Sequence, residues 1–389
     1  MEYTGAGIIT TFRAKYEGAD VFDYKNAHAN MPRDDTIDAL LPAAGCACSI
    51  ARRGRSTCLR EETVAMIAAR LGIRAEPDDH SRARDGAEKL MRALMRETRC
   101  DDEKCVLRVA REMQIIDAVA AGIEEHIAFK SGNGPTDAAL FNDSVIHAQL
   151  YAWMFQFREF WAYNFNMINY ADASLRGGRV MRSPDTLATV NWGDLYAGRV
   201  PNPIGMRGTE AREAMLADKR ARGVRCSSCV INSDTYDGNG KHWMALFVDA
   251  RDDSAAPVWS VEFFNSAAIR PESEWLAWMV KTKAELTRVN PRARVEMVCV
   301  CKVWHQHSRS ECGPYSLFYT WARLNGVPAQ YFLENVVPDQ IMFEFRQHLF
   351  DNSALGVGER FDFERYAKKV RVKWDTESLT AKDSGRKHQ

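Results

Sequence analysis

Residues 312–326 read Cys-Gly-Pro-Tyr-Ser-Leu-Phe-Tyr-Thr-Trp-Ala-Arg-Leu-Asn-Gly. This stretch predicts an apolar helix over 314–324, because proline suits a first helical turn and the Asn-Gly pair suits a helix end. Cys312 would then lie at the N-terminus of the helix, where free backbone N–H groups and the helix dipole favour a thiolate. Gly313 would let a substrate backbone come close. Cys312 is therefore the candidate nucleophile, with an oxyanion site formed by nearby N–H groups.

Strand-like segments dominate the residues upstream of this helix. They are short, rich in β-branched or aromatic residues and separated by turn residues, and they lie at 229–232, 243–248, 258–264 and 295–300. Helical periodicity occurs at 60–71, 84–98, 103–130, 272–288 and 338–350. The aromatic run at 146–170 is interpreted as a buried helix and its continuation rather than as a ligand-stacking surface. Together these patterns predict an α+β fold.

The composition excludes some classes of function. The 389 residues carry 52 basic and 52 acidic side chains, so the formal net charge is zero. This balance predicts no general attraction to nucleic acid or to an acidic membrane. The N-terminus lacks the basic and apolar pattern of a signal peptide. No run approaches the roughly 18 apolar residues that a transmembrane helix needs. We therefore expect an intracellular, soluble protein.

The ten cysteines are expected to be reduced, because no secretory signal is apparent. Five of them fall in the N-terminal part, where their spacings do not match the usual zinc templates, so buried thiols are preferred to a zinc site: Cys46, Cys48, Cys58, Cys100 and Cys105. Four others lie on or beside predicted strands and are expected to pack there rather than to act in redox chemistry: Cys226, Cys229, Cys299 and Cys301.

Three polar side chains are candidate partners of Cys312. His242 follows a flexible Gly-rich turn and starts a predicted strand, so its ring can point from a strand edge into a cleft. Asn265 ends the next predicted strand, and antiparallel pairing would bring the two side chains together. Its amide oxygen could then fix the histidine tautomer. Gln306 lies six residues before Cys312, on a loop from which its NH2 group could donate to a tetrahedral intermediate.

In order and spacing, these residues resemble the signature of the CE-clan cysteine proteases, which comprise the adenoviral protease and the ubiquitin-like-protein (SUMO-type) proteases. The matching pieces are His242-Trp243, Asn265-Ser266, Gln306 and Cys312-Gly313. Residues 140–146 look like the Trp-Leu-Asn-Asp segment of the same fold, with Leu in place of Trp and Phe in place of Leu. Residues 230–234 are similar to the version found in large double-stranded DNA viruses. That branch includes the polyprotein-processing protease of the African swine fever type.

The resemblance implies a papain-like or adenoviral-protease-like core, with a central mixed β-sheet flanked by helices and the nucleophile at a helix N-terminus. It implies acyl transfer by a Cys-His-Asn triad, with Gln306 holding the oxyanion and no cofactor or metal. His242 either takes the Cys312 proton during attack or rests with it as an ion pair. Asn265 stands where Asp is commoner, so it would orient His242 without adding a negative charge.

The implied substrate is a polypeptide in a narrow channel that favours Gly-Gly or other small residues before the cut. Trp243 would roof this channel, and Gly313 and Ser266 would contact the substrate. Asn232, ten residues before His242, either faces the same cleft or caps a turn as a buried strand-end amide. The viral branch implies maturation of structural polyprotein precursors, in the host cytoplasm at viral assembly sites and in the virion.

A Ser-Gly-Asn-Gly-Pro break predicts a domain boundary. We expect a mainly helical accessory domain at 1–132, the cysteine protease core at 133–352, and a C-terminal extension at 353–389 with a basic, poorly ordered tail.

Two alternatives remain open. Within the clan, the same triad could serve deconjugation of a ubiquitin-like modifier, or acetyl transfer. In a different class, the helical N-terminal domain would be the working part and would bind a partner or nucleic acid. The basic cluster Arg52, Arg53 and Arg55 and the basic tail offer a possible weak DNA contact, although solvated charge is the preferred interpretation.

Overall fold

The computed structural model describes residues 57–73, 83–130, 139–172, 186–202 and 209–350, together with residues 36, 40 and 134. Three sequence predictions lie outside the described residues. They concern the basic cluster at 52–55, the two cysteines at 46 and 48, and the tail after residue 350.

A six-stranded mixed sheet forms the centre of the described chain. Its strands are β1 (Phe160–Ala162), β2 (Asn166–Met167), β3 (Cys226–Asn232), β4 (Trp243–Asp249), β5 (Val258–Phe264) and β6 (Arg294–Val300). The order across the sheet is β1-β3-β4-β5-β6, and β2 also pairs with β3. The β3/β4 and β4/β5 pairs are antiparallel, whereas β1 and β2 run parallel to β3, and β6 runs parallel to β5.

The helices divide into an N-terminal group and a group around the sheet. In the described residues they are α1 (Glu61–Arg70), α2 (Ala83–Thr98), α3 (Glu103–Glu112), α4 (Ala118–Ala128), α5 (Asp143–Gln156), α6 (Trp192–Tyr196), α7 (Glu210–Arg222), α8 (Ser273–Val289), α9 (Cys312–Leu324), α10 (Ala329–Glu334) and α11 (Asp339–Leu349). Helix α8 supplies the crossover that the parallel β5 and β6 require. The predicted α+β fold, with a mixed sheet flanked by helices, is confirmed.

Helix α9 lies at the centre of this arrangement. All of its residues are buried, because it packs against β4 on one side and against α5 and α11 on others. Its composition is apolar on nearly every face, which is the pattern of a helix inside a core. The helix starts at Cys312, two residues before the predicted start at Pro314. The candidate nucleophile is therefore the first residue of a helix that is fixed on all sides.

The N-terminal helices have a hydrophobic cluster of their own, built from residues between 59 and 129. A second and larger cluster contains the sheet and the helices around it. The two groups meet where α4 packs against α7 and α5. There an added Cβ at Gly122 would lie 2.9 Å from the Cβ of Ala211, and the His126 ring stacks on Phe155 with centroids 4.1 Å apart.

Two predicted segments differ from the structure. The single helical stretch at 103–130 is two helices, because the chain turns at Gln114, whose φ is 58°, and restarts at Asp117, which caps α4 by accepting the Ala120 N–H at 2.9 Å. The aromatic run at 146–170 is a helix only as far as Gln156. Its continuation forms the short strands β1 and β2, whose side chains are buried against the rest of the sheet.

The cysteines bring one correction. Cys100 and Cys105 form a disulfide, so the expectation of reduced thiols was wrong for this pair. The end of α2 and the start of α3 bring their Cα atoms within 5.5 Å. Cys226 and Cys229 are buried on β3. Within the described ranges, no group of three His, Cys, Asp or Glu side chains could hold a metal ion. No helix in those ranges is long and apolar enough to cross a bilayer.

Candidate active site

His242 and Asn265 meet at one end of the sheet. His242 directly precedes β4 and Asn265 directly follows β5, and the antiparallel register pairs Ala245 with Phe264. The His242 Nε2 atom lies 2.9 Å from Asn265 Oδ1. The Ala267 N–H also donates to this Oδ1 at 2.9 Å, which identifies it as the acceptor end of the amide. Nε2 therefore carries the proton, and Nδ1 is the basic nitrogen of the ring.

Cys312 lies close to the start of β4. The thiol is buried, with 5% of the residue exposed. Burial raises the Cys312 pKa above its ordinary value of 9.0, and the backbone N–H groups of Trp243 and Gly313 act in the opposite direction. The Trp243 N–H belongs to the residue that follows His242, so the sulfur sits next to the strand start that carries the histidine.

Burial also shifts the pKa of His242. The His242 pKa lies below its ordinary value of 6.5, chiefly because the ring is desolvated, while the hydrogen bond to Asn265 raises it. A lowered histidine pKa and a raised cysteine pKa both favour the uncharged forms at neutral pH. The directions of these two shifts therefore favour a resting pair of thiol and imidazole over a preformed ion pair.

Gln306 is buried on the loop between β6 and α9. Its Oε1 accepts a hydrogen bond from the Ser266 hydroxyl at 2.8 Å, and its Nε2 donates to the Ser308 carbonyl at 2.7 Å. The backbone N–H groups of His305 and Gln306 both donate to the Ser266 carbonyl at 2.9 Å. The dipeptide Asn265-Ser266 thus contacts the histidine through one residue and Gln306 through the next.

The four predicted substrate contacts occupy different positions. Trp243 is half-buried, and its indole N–H donates to the Phe141 carbonyl at 3.0 Å. Gly313 lies against Phe141, so that an added Cβ would be 2.9 Å from the Phe141 Cβ. Ser266 is buried and its hydroxyl is engaged by Gln306. Asn232 is also buried, and its Oδ1 accepts the backbone N–H groups of Asp234 and Lys241 at 2.9 and 3.0 Å, as a turn cap does.

The sequence did not predict the buried charged groups next to the candidate nucleophile. Glu311 and Arg346 form a fully buried ion pair with Nη2 and Oε1 2.6 Å apart. Burial raises the Glu311 pKa to about 7, although Arg346 acts to lower it. Asp339 is also fully buried. The available signal was an arginine in the predicted helix at 338–350 and an acidic residue directly before the cysteine.

A histidine directly before a strand, held by an amide and close to a cysteine that opens a buried helix, is the arrangement that papain-like thiol hydrolases use. The model of the Ulp1 protease family, C-terminal catalytic domain, matches residues 226–358. The chain is a cysteine protease that is similar to those of the CE clan.

Within this clan the chain is similar to proteases of African swine fever virus. It is 29% identical over 255 residues to the cysteine protease S273R of a tick isolate of that virus. The aligned region covers 64% of this chain and 83% of the relative. The SUMO-1 cysteine protease S273R of a pig isolate matches with the same identity and coverage. A crystal structure of the African swine fever virus pS273R protease aligns with a TM-score of 0.51 and 25% identity, over 80% of this chain and 97% of that one.

Proposed function

We propose that this protease is an endopeptidase that cuts after Gly-Gly-type sites in viral structural polyprotein precursors, with a Cys312-His242-Asn265 triad and Gln306 as the oxyanion residue. The observation that carries the proposal is the His242–Asn265 bond of 2.9 Å beside the thiol of Cys312. The relatives in African swine fever virus support the viral setting, and with it a location in host cytoplasm and virion.

The chemistry starts from an uncharged pair. As the Cys312 sulfur attacks the scissile carbonyl carbon, His242 Nδ1 takes the thiol proton, and Asn265 keeps the ring in the tautomer that allows this. The carbonyl oxygen becomes an oxyanion, which the Gln306 amide and the backbone N–H groups at the start of α9 stabilise. His242 then gives the proton to the leaving amine. Water, activated by the same histidine, hydrolyses the thioester and frees Cys312.

The space beside the nucleophile supports a preference for glycine. Phe141 fills the space that a side chain at position 313 would take, since an added Cβ would lie 2.9 Å from the Phe141 Cβ, and the Phe141 carbonyl accepts the indole N–H of Trp243. A substrate strand between Trp243 and the helix start would need small side chains next to the cut bond. This is the selectivity expected of a narrow channel.

Peptides of the form Gly-Gly-X test the activity. The wild-type chain should cleave them, and Cys312→Ala should lower kcat by at least about 10³-fold while melting nearly like the wild type. The matched control is Cys301→Ala, which removes another buried free thiol and should leave kcat unchanged. Peptides with Ala-Ala or Val-Val before X should be cleaved more slowly. Full activity of Cys312→Ala would contradict the assignment.

A second candidate within the same chemistry is cleavage of a ubiquitin-like modifier. One relative carries the name SUMO-1 cysteine protease, which favours testing it. Three activities are to be separated: polyprotein cleavage, modifier cleavage and acetyl transfer. Mapping the products of co-expressed structural polyproteins, next to assays with modifier fusions and acetyl-CoA, separates them. Processing of the polyprotein at Gly-Gly sites, with the fusions left intact, is the result that the proposal expects.

The N-terminal residues 1–132 are proposed to form an accessory domain, because the helices there have a separate hydrophobic cluster. A weak DNA contact of this domain is testable by measuring its binding to a DNA duplex. Binding that falls steeply with salt would support phosphate contacts. No binding at low salt would leave the basic cluster as solvated charge.

A further inference from the structure

The amide of Gln306 is held from two sides. On one side the Ser266 hydroxyl donates to Oε1 at 2.8 Å, and on the other Nε2 donates to the Ser308 carbonyl at 2.7 Å. An NH2 group has two N–H bonds, so one of them remains available to a developing oxyanion. The direction of that second N–H is fixed by the two contacts, because the amide group is planar.

The contact to Ser308 depends on a buried carboxylate. Asp339 Oδ2 accepts the backbone N–H groups of His307 and Ser308 at 3.0 and 2.8 Å, and Asp339 has no exposed surface. It is the first residue of α11, a helix packed against α9. The residue whose carbonyl orients the Gln306 amide is therefore anchored through its own N–H to a helix outside the loop.

A buried carboxylate is a costly way to satisfy two backbone N–H groups. Charge-assisted hydrogen bonds are about twice as strong as neutral ones, but removing a carboxylate from water carries a large desolvation penalty. A water-exposed turn at 305–308 would need no such anchor. An ionic anchor gains its value where a loop must be held in one geometry, as a preorganised oxyanion site requires.

We propose that Asp339 and Ser266 are positioning residues that aim the Gln306 N–H at the oxyanion. This inference rests on the proposed function, since it assumes that Gln306 acts in catalysis. Asp339 works through the backbone of Ser308, and Ser266 works directly on the amide oxygen. Neither side chain needs to touch the substrate.

A double-mutant cycle separates this role from a merely structural one. Asp339→Ala should lower kcat for a Gly-Gly-X peptide by about 10- to 100-fold, with KM changed by less than about twofold. Ser266→Ala should lower kcat by about 10-fold for the same reason. In the Gln306→Ala background, neither substitution should lower kcat further, because the group that they position is absent. Gln340→Ala, an exposed neighbour on α11, is the matched control with unchanged kcat.

Alkylation of Cys312 by iodoacetamide gives a second readout. It needs the nucleophile and its base but forms no oxyanion, so the rate should stay within about twofold of the wild type in Asp339→Ala and Ser266→Ala. A structural role for Asp339 would instead lower the alkylation rate together with kcat. If Asp339→Ala does not fold, Asp339→Asn, which keeps one acceptor oxygen, and Ser266→Ala still give the cycle.

The outcomes distinguish this inference from the proposed function. Losses that multiply with Gln306→Ala, or a parallel fall in alkylation, would overturn the positioning role while leaving the protease assignment intact. Wild-type kcat in Gln306→Ala would overturn both the oxyanion role and the positioning role. If the wild type cleaves no Gly-Gly-X peptide, that substrate preference fails. A crystal structure of Asp339→Ala then decides the inference: an unchanged Gln306 side chain would overturn it, and a displaced one would support it.

Discussion

Arg346→Met removes the cation of the buried ion pair with Glu311, the residue before the proposed nucleophile Cys312. The guanidinium donates to Glu311 Oε1 at 2.6 Å and to Oε2 at 3.3 Å, and it donates to the Ala139 carbonyl at 2.7 Å. It also lies 4.5 Å from the centre of the Phe141 ring. The pair therefore ties the residue before Cys312 to the segment that contacts Gly313. Methionine fills most of the volume without the charge.

The expected loss of folding stability follows from the burial of both partners. Arg346 and Glu311 have no exposed side-chain surface, and removing one partner of such a pair costs about 3–5 kcal/mol, because a buried charge is left unpaired. The Glu311 pKa is already raised to about 7 by burial, and losing Arg346 raises it further. A raised carboxyl pKa in the folded state destabilises the fold increasingly as pH rises above the unfolded value. The loss should thus be larger at about pH 8 than at about pH 6.

Urea denaturation followed by tryptophan fluorescence measures this loss. The charge-balanced control is Arg346→Met combined with Glu311→Gln, which removes both charges and should recover at least about 2 kcal/mol relative to Arg346→Met alone. A loss below about 1 kcal/mol in Arg346→Met, or a double variant as unstable as the sum of the singles, would refute the reasoning.

Four further predictions concern the site itself. The acid limb of kcat/KM should have its midpoint below pH 6.5, because burial lowers the His242 pKa. Iodoacetamide alkylation of Cys312 should rise only toward alkaline pH, and rapid alkylation at about pH 5 would instead show an ion pair. Asn265→Asp should move the acid limb to higher pH, because the added negative charge stabilises the His242 imidazolium. Asn265→Ala should lower kcat by about 10²-fold. An acid limb unmoved by Asn265→Asp would contradict the contact between His242 and residue 265. Gly313→Ala should lower kcat/KM by at least about 10-fold, because its Cβ would meet Phe141 at 2.9 Å, and wild-type kinetics would contradict that close approach.

The elements that position the candidate triad could be predicted because their signals are local. A cysteine before Gly-Pro and an apolar stretch marks a helix start. Short segments of β-branched or aromatic residues, separated by turn residues, mark β4 and β5. Once those two strands pair antiparallel, His242 before β4 and Asn265 after β5 must lie at the same end of the sheet. The order and spacing of the four candidate residues then resemble a known family.

The rest depends on contacts that no local pattern reports. Asp339 meets residues 307 and 308 only after α11 packs on α9, and Arg346 meets Glu311 across 35 positions of chain. Strands β1 and β2 have three and two residues, too few for a period of two to be visible within an aromatic run. The turn at Gln114 needs a positive φ that hydrophobic spacing does not reveal.

The most direct measurement of the central claim is covalent capture with a Gly-Gly peptide that ends in an electrophile, followed by peptide mapping. The account predicts a single adduct on the sulfur of Cys312, formed much more slowly in His242→Ala and absent in Cys312→Ala. An adduct on another cysteine, or undiminished labelling after Cys312→Ala, would contradict it.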